Sequence, residues 1–491
     1  MEKLDKMCRD LHKEDKLHRT KGYDEVCAKL GETKVFVFST PHGRPADKCV
    51  EALKPHLKKG DVIIDCGNEH WKNTERRQRD LDPMGVHYIG CGVSGGYQSA
   101  RAGPSMSPGG SAEGLVKVMP FLRSIAAKDN EGRPCTNPVG PGGSGHYVKM
   151  VHNGIEQGMM SVLAEVWLLL TQGLGLSNEE VGKILNSWNE KGPLRNCFLV
   201  AIGVDIQRTK DKNAQYVVSQ IRDKVVQDAD EEEGTGIWTC EEAVARHVPA
   251  ASILSAHLFR CASSDLARRA KNRKAGGGNQ IKPQKLRIDS SAREAFIESL
   301  HKTTYFCFLA CFAQGLDIIR RKDKDSDWKL DYRKILQLWR GGCIITAEHI
   351  TDLLDGMYAR GDHDPDSVLS NEEVERELSS CFQPAKEIVL KAIEADLFVP
   401  ATSQTLEYYK YENSVSDKSS SMTPSPSPTA FHELCLLTFR VTKTHLPTQF
   451  MEAQLDYFGE HMFESKDDPM RGVQKGEHHY EWKPAKGSSD K

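Results

Sequence analysis

One short stretch of the sequence places four chemically active side chains at helical spacing. At positions i, i+3, i+4 and i+7 stand Lys149, His152, Asn153 and Glu156. A helix carries side chains at this spacing on one face. A lysine and a glutamate beside one ligand can act as general base and general acid, whereas the ordinary alternative is a solvated face with paired charges. The following run, 159–170, is apolar nearly all round, which indicates a buried helix and therefore favours a polar cavity.

Glycines near this stretch indicate where a ligand could approach the backbone. Gly154 and Gly158 lie on the same predicted helix and leave room beside it. The loop 93–96 follows a predicted strand at 86–90, and open α/β sheets bind ligands at such strand ends, although a plain tight turn is the alternative. The loop 140–145 matches G-x-G-x-x-G, but no clear buried strand precedes it and no ribose-binding acid follows it. We therefore do not interpret that loop as a dinucleotide site.

The composition is that of an ordinary globular protein. The chain has 491 residues, of which 38% are hydrophobic and 27% charged, and its formal net charge is -3. This balance argues against a nucleic-acid partner, and no apolar run approaches the roughly 20 residues of a membrane span. Residues 1–15 show no apolar signal segment, and the 14 cysteines lack paired Cys/His spacing. We expect a cytoplasmic protein without disulfides or a bound metal, and without a membrane or nucleic-acid partner.

The first third of the chain alternates short strands with helices. Apolar, β-rich runs at 35–40, 61–65 and 86–90 predict strands, and helical periodicity appears at 46–57 and 73–81. This alternation is typical of an α/β fold in which helices cover a parallel sheet.

After residue 145 the apolar residues recur at three- and four-residue spacing. The pattern predicts helices at 146–172, 178–189, 240–272, 291–321, 332–359 and 370–396. The segment 414–429 is rich in serine and proline, which is typical of disorder. A basic run at 268–278 could hold phosphate, although such runs are more often solvated helix ends. The fold class is therefore an α/β domain followed by a large all-helical domain.

A set of motifs, taken in order and spacing, resembles one enzyme family. The motifs are 65–68 (DCGN), 93–96 (VSGG), 103–110 (GPSMSPGG), the helix around Lys149, 234–239 (GTGIWT), 338–345 (LWRGGCII) and 456–461 (DYFGEH). From about residue 22 to residue 466 the chain resembles 6-phosphogluconate dehydrogenase (decarboxylating), an enzyme of the pentose phosphate pathway.

The resemblance implies a reaction and a role for each residue of the helix face. In this family NADP takes hydride from 6-phosphogluconate, and loss of CO2 then gives ribulose 5-phosphate. The resemblance assigns Lys149 to remove the 3-hydroxyl proton and Glu156 to protonate the enediol. It implies that the carboxylate and hydroxyls are held by Asn68, Ser94, Gly95, Gly96, His152 and Asn153. It implies that NADP contacts Thr40, Pro41, His42 and Asn68.

Several positions depart from the family pattern. The first βαβ half of the Rossmann-like domain, with its glycine turn, is not found between Met1 and Lys34, so this domain is expected to be incomplete. The loop 40–42 reads Thr-Pro-His where the family usually has Val-Lys-Ala. The positions implied to bind the substrate phosphate are Gln157, Lys274, His301, Leu455 and His461. Gln157 replaces a tyrosine, His301 and Leu455 replace arginines, Lys274 is an approximate counterpart, and His461 matches.

We divide the chain into four parts. A partial NADP-binding domain spans 1–142, an all-helical domain 143–413, a disordered insertion 414–443 and a C-terminal tail 444–491. The resemblance implies a homodimer in which the tail reaches into the partner subunit and delivers His461 to its active site.

The departures leave three interpretations of function. The first is an NADP-dependent 6-phosphogluconate dehydrogenase whose sequence is truncated or wrongly spliced. The second is a diverged, impaired or inactive paralogue that keeps the dimer fold. The third is a dehydrogenase for a non-phosphorylated 3-hydroxy acid, because two lost arginine contacts at ~1.5–3 kcal/mol each would weaken phosphate binding.

Overall fold

An α/β region and a larger helical region make up the described chain. The computed structural model describes residues 20, 22–227, 234–275, 281–361, 367–414, 448–459, 461–469 and 475–482. The predicted insertion lies outside these residues except for Ser414, and the segment before Lys34 is described only in part. Among the described residues, no helix combines the length and apolar composition needed to cross a bilayer.

Four strands form one sheet, in the order β1-β2-β3-β4, within the described residues. The strands are Val35–Phe38 (β1), Val62–Asp65 (β2), His87–Ser94 (β3) and Ser105–Gly109 (β4). The parallel pairing predicted for the first three strands is confirmed, whereas β4 runs antiparallel to β3. Phe38 pairs with Asp65, and Asp65 pairs with Gly90. The loops that follow β1 and β2 therefore leave the sheet side by side.

Helices cover both faces of this sheet. They are Tyr23–Lys29 (α1), Arg44–Leu53 (α2), Trp71–Leu81 (α3), Gly96–Ala102 (α4) and Ala112–Ile125 (α5). Ile63 of β2 packs in a cluster with residues of α2 and α3, while its neighbours Val62 and Ile64 pack with residues of α5. Because β2 is buried on both faces, its sequence is a continuous apolar run.

The helical region is built around one long, buried helix, α6. Its helices are Ser144–Leu168 (α6), Asn178–Glu190 (α7), Phe198–Arg208 (α8), Thr235–Ala245 (α9), Ala251–Ser264 (α10), Leu266–Ala275 (α11), Arg293–Ser326 (α12), Tyr332–Leu338 (α13), Glu348–Arg360 (α14), Glu372–Glu394 (α15), Pro400–Glu412 (α16) and Thr448–Gly459 (α17). In α6 every residue except Asn153 is buried, and the helix packs against α9, α10 and α12. It is therefore the central element of this region.

Two predicted helices are divided in the structure. The stretch 240–272 contains the end of α9, all of α10 and the start of α11. Pro249 disfavours helical geometry at the residue before it and so separates α9 from α10, and Asp265 has a non-helical backbone between α10 and α11. The stretch 332–359 contains α13 and α14, separated by a loop in which Gly342 has a φ of 67°. The apolar spacing continues across both loops, so periodicity alone does not reveal them.

A buried carboxylate fixes α6 against α16. Glu165 Oε1 accepts from the backbone N–H of Ala401 over 2.7 Å. Its Oε2 accepts from the backbone N–H of Thr402 over 2.9 Å and from the Thr402 hydroxyl over 2.7 Å. These donors belong to the first turn of α16, where backbone N–H groups have no partner within the helix. These hydrogen bonds fix the position of α6 along α16, and they therefore also fix the position of the polar side chains that α6 carries.

Candidate active site

A cavity of about 160 Å³ lies where β3, α6 and α17 meet. From α6 it is lined by Lys149, Asn153, Glu156 and Gln157. It is also lined by Asn68 from the loop after β2, by Ser94 at the end of β3, by Gly95 and Gly96 where the chain turns into α4, and by His461 from the tail. The structure therefore brings together most of the residues that the sequence analysis named for the site.

Lys149 reaches the cavity through space that only a glycine leaves on β3. A Cβ atom at Gly92 would lie 2.1 Å from Lys149 Cβ and 2.7 Å from its Cγ. The lysine is 7% exposed, and its Nζ donates to Asn153 Oδ1 over 2.6 Å. Gly92 and Asn153 therefore set the path and the end point of the lysine side chain.

A chain of hydrogen bonds joins the β3 loop to α9 across the helix face. Asn153 Oδ1 accepts from Lys149 Nζ and faces His152 Nδ1 at 3.0 Å. Asn153 Nδ2 donates to Thr235 Oγ1 over 2.9 Å. The Lys149 ammonium group can only donate, so the end of the Asn153 amide that faces it is the oxygen. Because this oxygen accepts, His152 donates to it from Nδ1. His152 Nε2 is left to accept from Ser94 Oγ over 3.1 Å.

The surroundings of His152 favour the neutral form of its imidazole. Burial lowers the pKa of its imidazole well below the usual value, and the nearby Lys149 ammonium lowers it further. Glu156 Oε2 lies 3.7 Å from His152 Nδ1, so the histidine also contacts the carboxylate at the other end of the face. A neutral imidazole keeps one donor and one acceptor at neutral pH, which preserves the hydrogen-bond chain.

The turn after β3 needs glycine at two consecutive positions. Gly95 has a φ of 112° and Gly96 a φ of 63°. A Cβ at Gly95 would lie 2.3 Å from the carbonyl oxygen of Gly342, and one at Gly96 would lie 1.8 Å from that of Phe458. The turn therefore lets the α13–α14 loop and the tail helix approach the cavity closely.

The tail helix α17 is buried on all sides and completes the cavity. Every residue from Thr448 to Phe458 is buried. Asp456 accepts hydrogen bonds from the segment after it, at His479 Nδ1 (2.8 Å), Tyr480 N (3.0 Å) and Trp482 Nε1 (2.9 Å). In the structure α17 packs against α6 and α8 of its own chain. Delivery of His461 by a partner subunit stays a prediction.

Glu452 on α17 makes the stability of the folded protein depend on pH. Its Oε1 accepts from Gln227 Nε2 over 3.1 Å, and its Oε2 has no hydrogen-bond partner among the described residues. Burial raises the pKa of this carboxyl from 4.5 to about 8. Because the folded state then holds the proton more tightly than the unfolded state, stability is lost as pH rises from about 4.5 to about 8.

We therefore expect Glu452→Gln to become stabilising relative to wild type as the pH is raised from 6 to 9. The gain is about 3 kcal/mol, because the range from pH 6 to the folded-state pKa of about 8 spans about two units at roughly 1.4 kcal/mol each. Thermal unfolding at both pH values measures it. The control is Glu407→Gln, at a half-exposed carboxylate on α16 that pairs with Lys410. Equal pH slopes for wild type and Glu452→Gln would contradict the assignment.

Two residues that the resemblance assigns to the substrate lie outside this cavity. His301 on α12 stacks on Trp188 with ring centroids 5.0 Å apart, next to Gly192. Lys274 is exposed near the end of α11. Neither side chain lines the cavity, so the described structure does not bring them to the other site residues.

The glycine-rich stretches on and before α6 serve packing. A Cβ at Gly154 would lie 2.4 Å from Thr239 Cγ2, and one at Gly158 would lie 2.6 Å from Cys311 Sγ. The interpretation that these glycines leave room for a ligand is therefore wrong, because neighbouring helices fill the space. In the 140–145 loop, a Cβ at Gly143 or Gly145 would lie within 2.6 Å of backbone oxygens of Trp71 or Gly90.

Arg260 is the main site residue that the sequence analysis missed. It lies on α10, is 3% exposed and lines the cavity, as do Thr235 and Ile344. The sequence signal that could have revealed Arg260 is its spacing. It follows Ile253 by seven residues and Ala256 by four, which places it on the buried face of α10. An arginine at such a buried position indicates that the residue has a structural or functional role.

The loop predicted to contact NADP is held by one buried arginine. Arg77 is 1% exposed, and it donates to the Gly43 carbonyl over 2.8 Å and to Glu69 Oε2 over 2.7 Å. These bonds join the loop after β1, which contains Thr40, Pro41 and His42, to the loop after β2, which contains Asn68. The Thr40 hydroxyl is buried and has no hydrogen-bond partner among the described residues. This unused hydroxyl beside paired strand ends fits a nicotinamide nucleotide.

Fold and site together define a class of protein. Parallel strands present their carboxyl ends to a nucleotide, and a helical region brings a lysine and a glutamate to the same place. This arrangement is that of a two-domain, nicotinamide-dependent dehydrogenase, in which a base removes a hydroxyl proton while hydride leaves the same carbon.

Comparisons with known proteins give the family. The model of the NAD binding domain of 6-phosphogluconate dehydrogenase matches residues 3–140, and the model of the 6-phosphogluconate dehydrogenase C-terminal domain matches residues 145–423 and 427–482. The chain belongs to the 6-phosphogluconate dehydrogenase family.

Individual relatives cover nearly the whole chain. The decarboxylating 6-phosphogluconate dehydrogenase of Emericella nidulans is 43% identical over 477 residues, which cover 93% of this chain and 88% of that protein. The enzyme of the same name from Lactococcus lactis is 34% identical, with coverages of 96% and 90%. The solved 6-phosphogluconate dehydrogenase of Plasmodium falciparum superposes with a TM-score of 0.75 at 29% identity and covers 97% of this chain and 92% of its own.

Proposed function

We propose that this chain oxidises 6-phosphogluconate with NADP and releases CO2, giving ribulose 5-phosphate in the pentose phosphate pathway. The observation that carries the proposal is the pairing of Lys149 and Glu156, two helical turns apart, on one wall of a cavity. The relatives support it: two are named as decarboxylating enzymes, and the Plasmodium falciparum protein was solved with NADP+ and with 6-phosphogluconate.

The cofactor belongs at the carboxyl ends of β1 and β2. Thr40, Pro41, His42 and Asn68 would hold NADP, with the Thr40 hydroxyl free to make a hydrogen bond. When bound, NADP supplies the hydride acceptor for carbon 3 of the substrate. Asn68 lines the substrate cavity as well, so it lies at the boundary between the two ligands.

Lys149 acts as the base at the substrate 3-hydroxyl. Asn153 Oδ1 accepts from its Nζ over 2.6 Å, which fixes the amine at the cavity wall. The amine must be neutral to take the proton from the 3-hydroxyl. Removal of this proton lets the C–O bond become a carbonyl as hydride leaves carbon 3.

Glu156 acts as the acid after CO2 has left. It lines the cavity two turns along α6 from Lys149, so the two groups reach different carbons of one small ligand. Its carboxyl delivers a proton to carbon 1 of the enediol, which completes the ketose. Ser94, Gly95, Gly96, His152 and Asn153 would hold the carboxylate and hydroxyls meanwhile.

We expect Gly92→Ala to lower kcat by about tenfold or more, because the new methyl group displaces Lys149 from its path. KM should change less, since the rest of the pocket is untouched. Steady-state NADPH formation measures both constants. Gly182→Ala on α7 is the control, because its Cβ would lie at an ordinary 3.4 Å from Gln207 Cβ. An unchanged kcat in Gly92→Ala would contradict this role of Gly92.

We also propose a cytoplasmic homodimer. The described cysteines are free, which suits a reducing compartment. Helices α9 and α10 leave large apolar side chains exposed, among them Val244, Leu258 and Phe259. Binding of a second copy of the chain would remove these apolar side chains from water.

Purified protein with NADP and either 6-phosphogluconate or gluconate tests the proposed reaction. NADPH formation with the phosphorylated substrate supports it. A second candidate is a dehydrogenase for a non-phosphorylated 3-hydroxy acid, favoured by Leu455 in the cavity wall and by His301 outside it. Oxidation of gluconate alone would favour this candidate.

A further inference from the structure

A half-buried tryptophan, Trp238 on α9, lies between the helical region and the loops proposed to hold NADP. Its indole lies over the glycine that precedes the helix. A Cβ atom at Gly234 would come within 2.0 Å of Trp238 Cζ2. The glycine therefore leaves the space that the ring occupies, and a larger residue at position 234 would displace the ring.

Trp238 contacts one histidine from each of the two loops. His42, from the loop after β1, meets the indole edge to face, with ring centroids 5.2 Å apart and an interplanar angle of 86°. His70, at the end of the loop after β2, meets it at 4.9 Å and 72°. Aromatic rings attract each other in this T-shaped arrangement. The tryptophan therefore contacts both loops at once.

Polar contacts on both sides of Trp238 anchor α9 to α6. Thr235 Oγ1 accepts from Asn153 Nδ2 over 2.9 Å. The Thr239 hydroxyl contacts the Met150 carbonyl oxygen at 2.8 Å. α9 therefore holds the indole at a fixed position relative to the polar face of α6.

The contact between His42 and Trp238 depends on a departure from the family pattern. The family usually has alanine at position 42, and a methyl group cannot make an edge-to-face ring contact. The same loop has Pro41 where the family usually has lysine. The loop after β1 thus has a contact with the helical region that the usual family residue would not provide.

We propose that Trp238 is a positioning residue for the cofactor, which holds the loops at 40–42 and 68–70 against α9 and so fixes where NADP binds relative to the substrate cavity. Asn68, which lines that cavity, lies two residues before His70, so the contact at His70 also fixes the boundary between the two ligands. Trp238 acts through the two histidine rings. This proposal rests on the proposed function, because it takes NADP as the ligand.

Trp238→Leu tests the assignment through cofactor binding. We expect the dissociation constant of NADPH, measured by nicotinamide fluorescence, to rise about tenfold, because leucine keeps an apolar side chain but loses both ring contacts. Trp238→Phe retains an aromatic ring and should bind NADPH within about threefold of wild type. Trp188→Leu is the matched control and should leave NADPH binding unchanged, because Trp188 also stacks on a histidine, His301, but lies on α7 outside the cavity lining.

A double-mutant cycle with His42→Ala measures the ring contact itself. His42→Ala should weaken NADPH binding by about fivefold in wild type and by less than about twofold in Trp238→Leu, where the contact is already lost. His42 is half-buried in a loop, so His42→Ala provides a second test if Trp238→Leu does not fold. NADPH binding by His42→Ala as tight as by wild type would then overturn the proposal.

The binding assays need no turnover, so they test Trp238 even if wild type fails to oxidise 6-phosphogluconate, a failure that would contradict the proposed function alone. NADPH binding by Trp238→Leu as tight as by wild type would overturn the role of Trp238, even in an active enzyme. An equal effect of His42→Ala with and without Trp238 would overturn it as well.

Discussion

Lys149→Met should abolish turnover, lowering the rate of NADPH formation from 6-phosphogluconate by about 10³-fold or more. Methionine has about the volume of the Lys149 side chain and fits the same space beside Gly92, so the fold should persist while the base is lost. Binding of the substrate should change far less than kcat, because the loop residues 94–96 and Asn68 remain. Stopped-flow absorbance of NADPH and substrate titration measure the two quantities.

A second buried lysine supplies the matched control for Lys149→Met. Lys322 is 5% exposed and lies 3.6 Å from the ring centre of Trp71, outside the cavity. Lys322→Met removes the same charge from the same type of environment, so it should reduce stability and leave kcat within about threefold of wild type. If Lys149→Met retains kcat, or if both variants lose it equally, Lys149 is not the base.

Glu156→Gln should separate oxidation from product formation. The amide keeps the size of the side chain but cannot donate the proton that carbon 1 of the enediol requires. In the first turnover of the enzyme, we expect NADPH to form near the wild-type rate, while ribulose 5-phosphate formation slows by about 10²-fold or more. Rapid quench analysis of both products measures the difference.

The control for Glu156→Gln is a buried glutamate that lies outside the cavity. Glu242 on α9 is 6% exposed and pairs with Arg246 over 2.7 Å. Glu242→Gln should lower the melting temperature without separating NADPH formation from product formation. Equal slowing of both products in Glu156→Gln would place Glu156 in the oxidation step or in the structure alone.

The helix face of α6 was predictable because its signal is local. Four side chains within eight residues fix their common face by helical geometry, and the apolar run 159–170 shows that the face is buried. β1 and β2 were also predictable, since each is a compact apolar run. The strand predicted at 86–90 was too short, because β3 continues to Ser94 although Gly90 and Gly92 interrupt its apolar pattern. β4 reads Ser-Met-Ser-Pro-Gly, has no apolar alternation and obtains its order from pairing with β3.

The rest of the site depends on contacts between distant parts of the chain. Arg260 reaches the cavity only because α10 packs against α6, which no local spacing reveals. Gly92 reads as an ordinary strand residue until Lys149 is seen to pass over it. His301 was placed by resemblance alone, and in this chain its ring stacks on Trp188.

The central claim is that one cavity oxidises and decarboxylates a phosphorylated sugar acid with the groups on α6. Carbon-1-labelled 6-phosphogluconate, incubated with the enzyme and NADP in D2O, tests it most directly. Nuclear magnetic resonance should show labelled CO2 or bicarbonate in amounts equal to NADPH, and one deuterium at carbon 1 of ribulose 5-phosphate. Lys149→Met should form none of these products. NADPH formed without labelled CO2, or full product formation by Lys149→Met, would contradict the account.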